Sequence, residues 1–182
     1  DLLCRLSAMS GCRSTFSLIQ KMDDAEEWKD VIEVVKAGNA RGGQVFPQVG
    51  SRPAGFVFSL DTYHGFMARP SYLALKHLPL AKRAAEMRRP EVKARILAER
   101  DVAPEFPGKM ESLIPVLPLE MDHTFPLTAQ SDYEPDQEES FGAMARRRNQ
   151  GGYDCLYDYL TEGNGDRFAI AFFANYAGFN LD

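Results

Sequence analysis

The sequence predicts an α/β fold of parallel strands covered by helices, carrying a helical insertion, and three features carry that prediction. The first fifty residues alternate helix, strand, helix and strand, with about twenty-five residues separating the two strands. That spacing exceeds a hairpin turn and suits the crossover that a parallel pair requires. Near the end, Phe168 to Ala174 (FAIAFFA) is an unbroken apolar run, as expected of a strand buried on both faces. Between these parts the alternation stops, and Pro70, Pro79 and Pro90 stand where prolines open helices.

Taken in order, Leu2, Leu3, Leu6 and Met9 keep a helical spacing up to Gly11, a natural helix stop. Ser14 to Ile19 (STFSLI) is β-branched and apolar, a short strand. Asp24 with Glu27 three residues on is a helix-start signal, and Ala25, Trp28, Ile32 and Val35 then fall on one face. The glycines at 38, 42 and 43 are expected to close that helix. Val45 to Val49 is the second strand, and a parallel crossover to it is expected to be right-handed. Short helices are expected near 71–77, 79–88 and 90–100. Residues 103–135, rich in proline and acidic residues with apolar stubs (LIPVL, FPL), read as a surface excursion rather than sheet. Helix signals return at 138–149 and again at Tyr153, Leu156, Tyr157 and Leu160, which share a face before Gly163. The last strand is FAIAFFA, ending at Asn175.

The bulk properties exclude several function classes. A chain of 182 residues can bury one substantial core, and length alone favours one domain, with 61–137 as a helical and irregular insertion within it. A composition 45% hydrophobic and 26% charged is that of an ordinary globular protein rather than a disordered one. A net charge of -5 argues against nucleic acid, which needs a basic face. Arg146, Arg147 and Arg148 read as a solvated helix end following the acidic stretch Glu134 to Glu139. No apolar run approaches the roughly 20 residues of a membrane span, and no leader pattern opens the sequence. Cys4, Cys12 and Cys155 form no CxxC, so reduced thiols and a cytoplasmic setting are expected. The chain opens on Asp1 rather than Met, and DLLCRLSAMSG reads as the back half of a helix, so a piece of a longer protein is expected.

The candidate chemistry is sparse. His64, His77 and His123 lie far apart and form no HxH, HExxH or Cys/His cluster, so no metal site is expected within the segment itself. His77 among leucines reads as packing or solvated, and Tyr153 with Tyr157 reads as core. His64 in the loop DTYHGF is a weaker candidate for a role. No GxSxG, SxxK or catalytic cysteine context occurs. What remains is positional. Ligands of α/β folds gather at the carboxyl ends of strands, and those ends carry Gln20, Gln48 with Ser51 and Arg52, and Asn175. Such groups can hold a carboxylate or carbonyl, the arginine bidentately, but cannot act as nucleophile or base. Gln20, Gln48 and Arg52 are the substrate-binding candidates, with a plain strand-to-loop transition as the alternative.

Four stretches resemble the D-aminoacylase-like branch of the amidohydrolase superfamily: SGCRSTFSLIQ, GGQVFPQVGSRPAGFVFSL, PSYLALKHLPLAKRAAEMRRPEVKARILAE and YDYLTEGNGDRFAIAFFANYAGFNLD. The likeness runs in order over nearly the whole chain and is weakest in 101–137. It implies part of a TIM-like barrel whose middle-to-late strands and active-site insertion this segment supplies. It also implies a divalent metal, usually zinc, that activates water against the amide of an N-acyl-D-amino acid, a non-peptide carbon–nitrogen bond. The ligands of that metal and the catalytic aspartate would lie outside these residues, so the segment alone is expected to be inactive. The family's strand histidine has no counterpart in STFSLIQ, so no catalytic residue carries over, and Gln20, Gln48 and Arg52 remain pocket candidates. The rival expectations are a barrel without catalysis that binds a small acid or a protein, and an amidohydrolase acting on cyclic amides or carbamoyl compounds.

Overall fold

A computed structural model describes residues 1–102, 119–130 and 132–180, and the chain divides into two compact units, Asp1–Gly55 with Phe172–Asp182 and Phe56–Ala171. In the first unit, helix α1 (Leu2–Ser10) ends on Gly11 at φ 71°, a left-handed conformation that costs glycine little. Of the residues that share the helical spacing, Leu2, Leu6 and Met9 are exposed and Leu3 is half-buried, while Cys4 and Ser7 are buried. Two contacts set that rotation. Ser7 Oγ donates to the Cys12 carbonyl at 2.6 Å and accepts the Gln44 N–H at 2.9 Å. Cys4 packs on Gly38, where any Cβ would come within 2.5 Å of the Cys4 Cβ and Sγ. Gly38 is therefore not the helix stop the sequence suggests. It lies inside α2 (Glu27–Ala40), where only a hydrogen side chain admits the neighbouring helix.

Asp24 does serve the start of α2, its Oδ1 accepting the N–H groups of Glu26 (3.3 Å) and Glu27 (3.2 Å). Strands β1 (Ser14–Leu18) and β2 (Val45–Val49) pair in parallel, Ser14 opposite Val45 and Leu18 opposite Val49, as the crossover length requires. Asn39 near the end of α2 bonds both backbone groups of Val45, Nδ2 to the carbonyl and Oδ1 to the N–H, each at 2.9 Å. That clip starts β2 in register. A small core of Cys4, Val35 and Val45, flanked by Leu3 and Phe16, lies between helices and strands.

The second unit departs further from expectation. Strand β3 (Ala54–Ser59) leads into it, and strand β4 (Thr124–Leu127) falls inside the stretch read as a surface excursion. These two flank β5 (Phe168–Ala174) in the order β3–β5–β4. β5 and β4 are antiparallel, Thr124 opposite Ala171 and Leu127 opposite Phe168. FAIAFFA is thus the middle of a separate sheet, not a third strand of the parallel one. It is also not buried on both faces, since Phe168 and Phe173 are 42% and 45% exposed. The described residues contain a two-stranded parallel sheet and a mixed-origin three-stranded one, and no closed barrel among them.

The helices of this unit follow their prolines. α3 (Pro70–Leu75) and α5 (Pro90–Ala98) each begin on proline, and α4 (Leu80–Met87) begins just after Pro79. α6 (Phe141–Arg148) is capped by Ser140, whose Oγ accepts the Ala143 N–H at 3.1 Å, and stops at Asn149 in the left-handed region. α7 (Gly152–Thr161) buries Cys155, Leu156, Tyr157 and Leu160, whereas Tyr153 at its start is largely exposed and not core. Phe66 meets Tyr157 edge-on at 5.1 Å, and the Tyr157 hydroxyl donates to the Met87 carbonyl at 2.8 Å. Arg146 and Arg147 pair with Asp122 and Glu138, the solvated helix end that was expected. Residues 103–118 of the expected excursion lie outside the described residues.

Candidate functional site

The carboxyl ends of β1 and β2 open into a cleft of about 470 Å³ within the first unit, lined by Leu18, Ile19, Gln20, Trp28, Val49, Gly50, Ser51, Arg52, Asn175 and Asn180. Strand chemistry explains the membership. A parallel pair leaves its carboxyl ends uncovered where the chain turns into helix or loop, so the last residues of both strands and the first turn of α2 share that end. Period-two alternation then sorts the side chains. Val49 lines the cleft, so Gln48, one residue earlier, projects from the opposite face and is not among the lining residues. Gln20, Arg52 and Asn175 are brought together, and Gln48 is not.

The amides differ from the guanidinium in what they are free to do. Gln20 Oε1 accepts the Ala177 N–H at 3.3 Å and its Nε2 reaches the Ala25 carbonyl at 3.5 Å. Asn175 Oδ1 accepts the Gln20 N–H at 2.8 Å, and its Nδ2 reaches the Gly50 carbonyl at 3.4 Å. Both amides are thus engaged with backbone, the positions of greatest local demand being the ends of strands. Arg52 is exposed and makes no ion pair or hydrogen bond among the described residues. The lining it shares is apolar at Leu18, Ile19, Val49 and Trp28 and polar at Gln20, Ser51, Asn175 and Asn180.

Trp28, which the helical reading placed on one face with Ala25, Ile32 and Val35, lines the cleft. It is 36% exposed and stands in the first turn of α2, which a loop separates from the end of β1 at Leu18. Asn180 was not anticipated either. The signal available for Trp28 was its place in the first turn of the helix that follows a strand's carboxyl end.

The histidines are elsewhere. His77 is exposed, and His123 lies 3.2 Å from Glu120. His64 is buried in the second unit, its Nδ1 accepting the Phe66 N–H at 3.2 Å and its ring edge-on to Tyr72 at 4.5 Å. Burial, and secondarily the Arg83 guanidinium, lower its pKa from 6.5 to about 3, so it stays neutral at ordinary pH. With Nδ1 accepting, the proton of the neutral ring sits on Nε2, which has no hydrogen-bond partner among the described residues.

No group of three or more His, Cys, Asp or Glu side chains converges as a metal set among the described residues, so these residues offer the implied divalent ion no site. The three cysteines are free thiols, Cys4 and Cys155 buried and Cys12 exposed. No described helix is long and apolar enough to cross a membrane. Compared with known proteins, the chain matches no family model, no curated protein and no solved structure.

Proposed function

We propose that the cleft holds a small carboxylic acid with an apolar body, Arg52 taking the carboxylate. One observation carries the reading: an unpaired guanidinium stands at the rim of a largely apolar cleft, at the carboxyl ends of two parallel strands. The planar fork of arginine matches a carboxylate with two parallel bonds, and the apolar walls give the remainder of the ligand its burial. The volume suits a small-molecule ligand.

Joined to the resemblance described above, the ligand becomes an N-acyl-D-amino acid and the protein a metal-dependent amidohydrolase of TIM-like architecture that opens a non-peptide carbon–nitrogen bond. In that reading this chain binds and orients. The lining contains no His, Asp, Glu, Cys or Lys, so the base and the ligands of a divalent ion, zinc in the family, belong to residues outside those described. A second reading, an acid-binding module without hydrolysis, is favoured by the same lack and by the absence of histidine from β1.

Trp28 is the one tryptophan of the sequence and lines the cleft, so its fluorescence reports occupancy. Titration with N-acetyl-D-leucine should quench or shift it, and the neutral N-acetyl-D-leucinamide should bind at least about tenfold more weakly, the loss of one charge-assisted pair. Equal affinity for acid and amide would refute the carboxylate assignment. Release of D-leucine by the complete gene product supplied with zinc assigns the hydrolase, and binding without release assigns the module.

A further inference from the structure

We propose that Asn175 is a positioning residue for Arg52, tying the ends of β1 and β2 together and so fixing the turn that carries the guanidinium. The functional part rests on the reading of the cleft as a carboxylate site; the geometric part is measurable without a ligand.

Three bonds from one residue converge on two strand ends. The Asn175 N–H donates to the Gln20 carbonyl at 2.9 Å, and its Oδ1 accepts the Gln20 N–H at 2.8 Å. The other arm of the same amide, Nδ2, donates to the Gly50 carbonyl at 3.4 Å. Gln20 follows β1 and Gly50 follows β2, so one planar group spans the mouth of the parallel pair. Asn175 holds φ at 59°, a left-handed conformation that asparagine tolerates better than other side-chain-bearing residues. That backbone is what turns the amide back across both strand ends.

Arg52 lies two residues beyond Gly50 and one before Pro53, which is buried. The turn is therefore held by the Asn175 amide on one side and by a packed proline ring on the other. Ser51 and Arg52 between them are exposed and make no side-chain hydrogen bond among the described residues. Bidentate pairing demands a guanidinium held in place, and small misplacements cost such interactions heavily. A residue that spends its amide on backbone at the rim thereby acts on a ligand it need not touch.

The test pairs two variants and two readouts. Asn175→Gly keeps the backbone conformation and removes both amide bonds. Asn175→Asp keeps the acceptor for Gln20 and replaces the donor to Gly50 by a second oxygen, so it isolates the β2 arm if the glycine variant folds poorly. Nitrogen-15 relaxation should show loss of order at Ser51 and Arg52 in both variants, with Thr15 to Ser17 of β1 unchanged. Unchanged order at Ser51 and Arg52 in the aspartate variant would overturn the proposal whatever binds. For function, affinity for N-acetyl-D-leucine should fall about tenfold in Asn175→Gly. The double variant with Arg52→Ala should bind no more weakly than Arg52→Ala alone, since contributions through a shared residue do not add. Multiplying losses, or an intact affinity in Asn175→Gly, would overturn the positioning role. An Arg52→Ala variant that binds like the unaltered protein would instead overturn the reading of the cleft.

Discussion

Replacing His64 with asparagine should remove a pH dependence of stability that no exposed histidine can produce. Asparagine keeps an oxygen near the position of Nδ1, so the Phe66 N–H retains its acceptor, but the side chain no longer titrates. In the folded protein the imidazole resists protonation down to about pH 3, whereas in the unfolded chain it takes a proton near 6.5. The unfolded state therefore binds the proton first as pH falls. The stability that neutral His64 contributes is complete above 6.5 and declines between 6.5 and about 3. Each unit of separation is worth about 1.4 kcal/mol, which makes the full span about 5 kcal/mol. Between pH 6 and pH 5, above the range where ordinary carboxylates titrate, the loss should be about 1 kcal/mol. Urea midpoints followed by far-ultraviolet circular dichroism at pH 7, 6 and 5 measure it. The asparagine variant starts lower at pH 7, having lost ring contacts with Tyr72, but its decline over pH 6 to 5 should be smaller by that amount. The imidazole Cε1–H resonance of His64 should stay flat over the same range. A resonance that titrates near 6.5 in the folded protein, or an identical decline in the variant, would refute the assignment of a buried neutral ring.

Gly38→Ala should destabilise by about 1–3 kcal/mol, because its new methyl overlaps Cys4 and one of the two helices must move; thermal denaturation reads it, and the double variant with Cys4→Ala should recover part of the loss. Tyr157→Phe leaves the Met87 carbonyl without its buried donor and should cost about 1–3 kcal/mol in urea unfolding, with the aromatic packing on Phe66 retained. Arg52→Lys should restore only part of the acid affinity lost in Arg52→Ala, since a point charge cannot reproduce two parallel bonds; full restoration would show that charge alone is read.

The parallel pair was legible because its determinants are local: a strand-length apolar run, a helical stripe and a crossover of fixed minimum length. The short helices were legible for a similar reason, each being opened by a proline at a position where the missing N–H costs nothing. β4 was hidden by its own Pro126, which argues against a strand interior but is acceptable at the edge of a sheet, where β4 lies. That edge position is a property of the fold and cannot be read from four residues. The orientation of α1 was equally hidden, since Leu2, Leu6 and Met9 are the more apolar face and yet the helix is turned by the Ser7 and Gly38 contacts. At the cleft, the carboxyl-end rule placed Arg52 and Gln20 among the lining residues, and side-chain parity would have set Gln48 apart from Val49. The engagement of the Gln20 and Asn175 amides was not readable, because Asn175 finds its partners 155 and 125 positions away.

Asn39 and Pro47 together alter what the outer side of β2 presents to other molecules. In a parallel strand the N–H and carbonyl of one residue point the same way, and successive residues alternate. Val45 gives both groups to Asn39, so it faces away from β1, and Pro47 two positions on faces the same way. The first docking position on that side is already filled by an amide, and the second has no hydrogen to donate. A strand from another copy approaching there would meet an interrupted ladder from its first step, and only the end of β2 could begin a match. Sheet extension between molecules, the usual start of ordered aggregates, is discouraged at its nucleus rather than merely slowed in growth. Two residues that fit β2 into this fold thus also make its outer edge a poor template for a second strand.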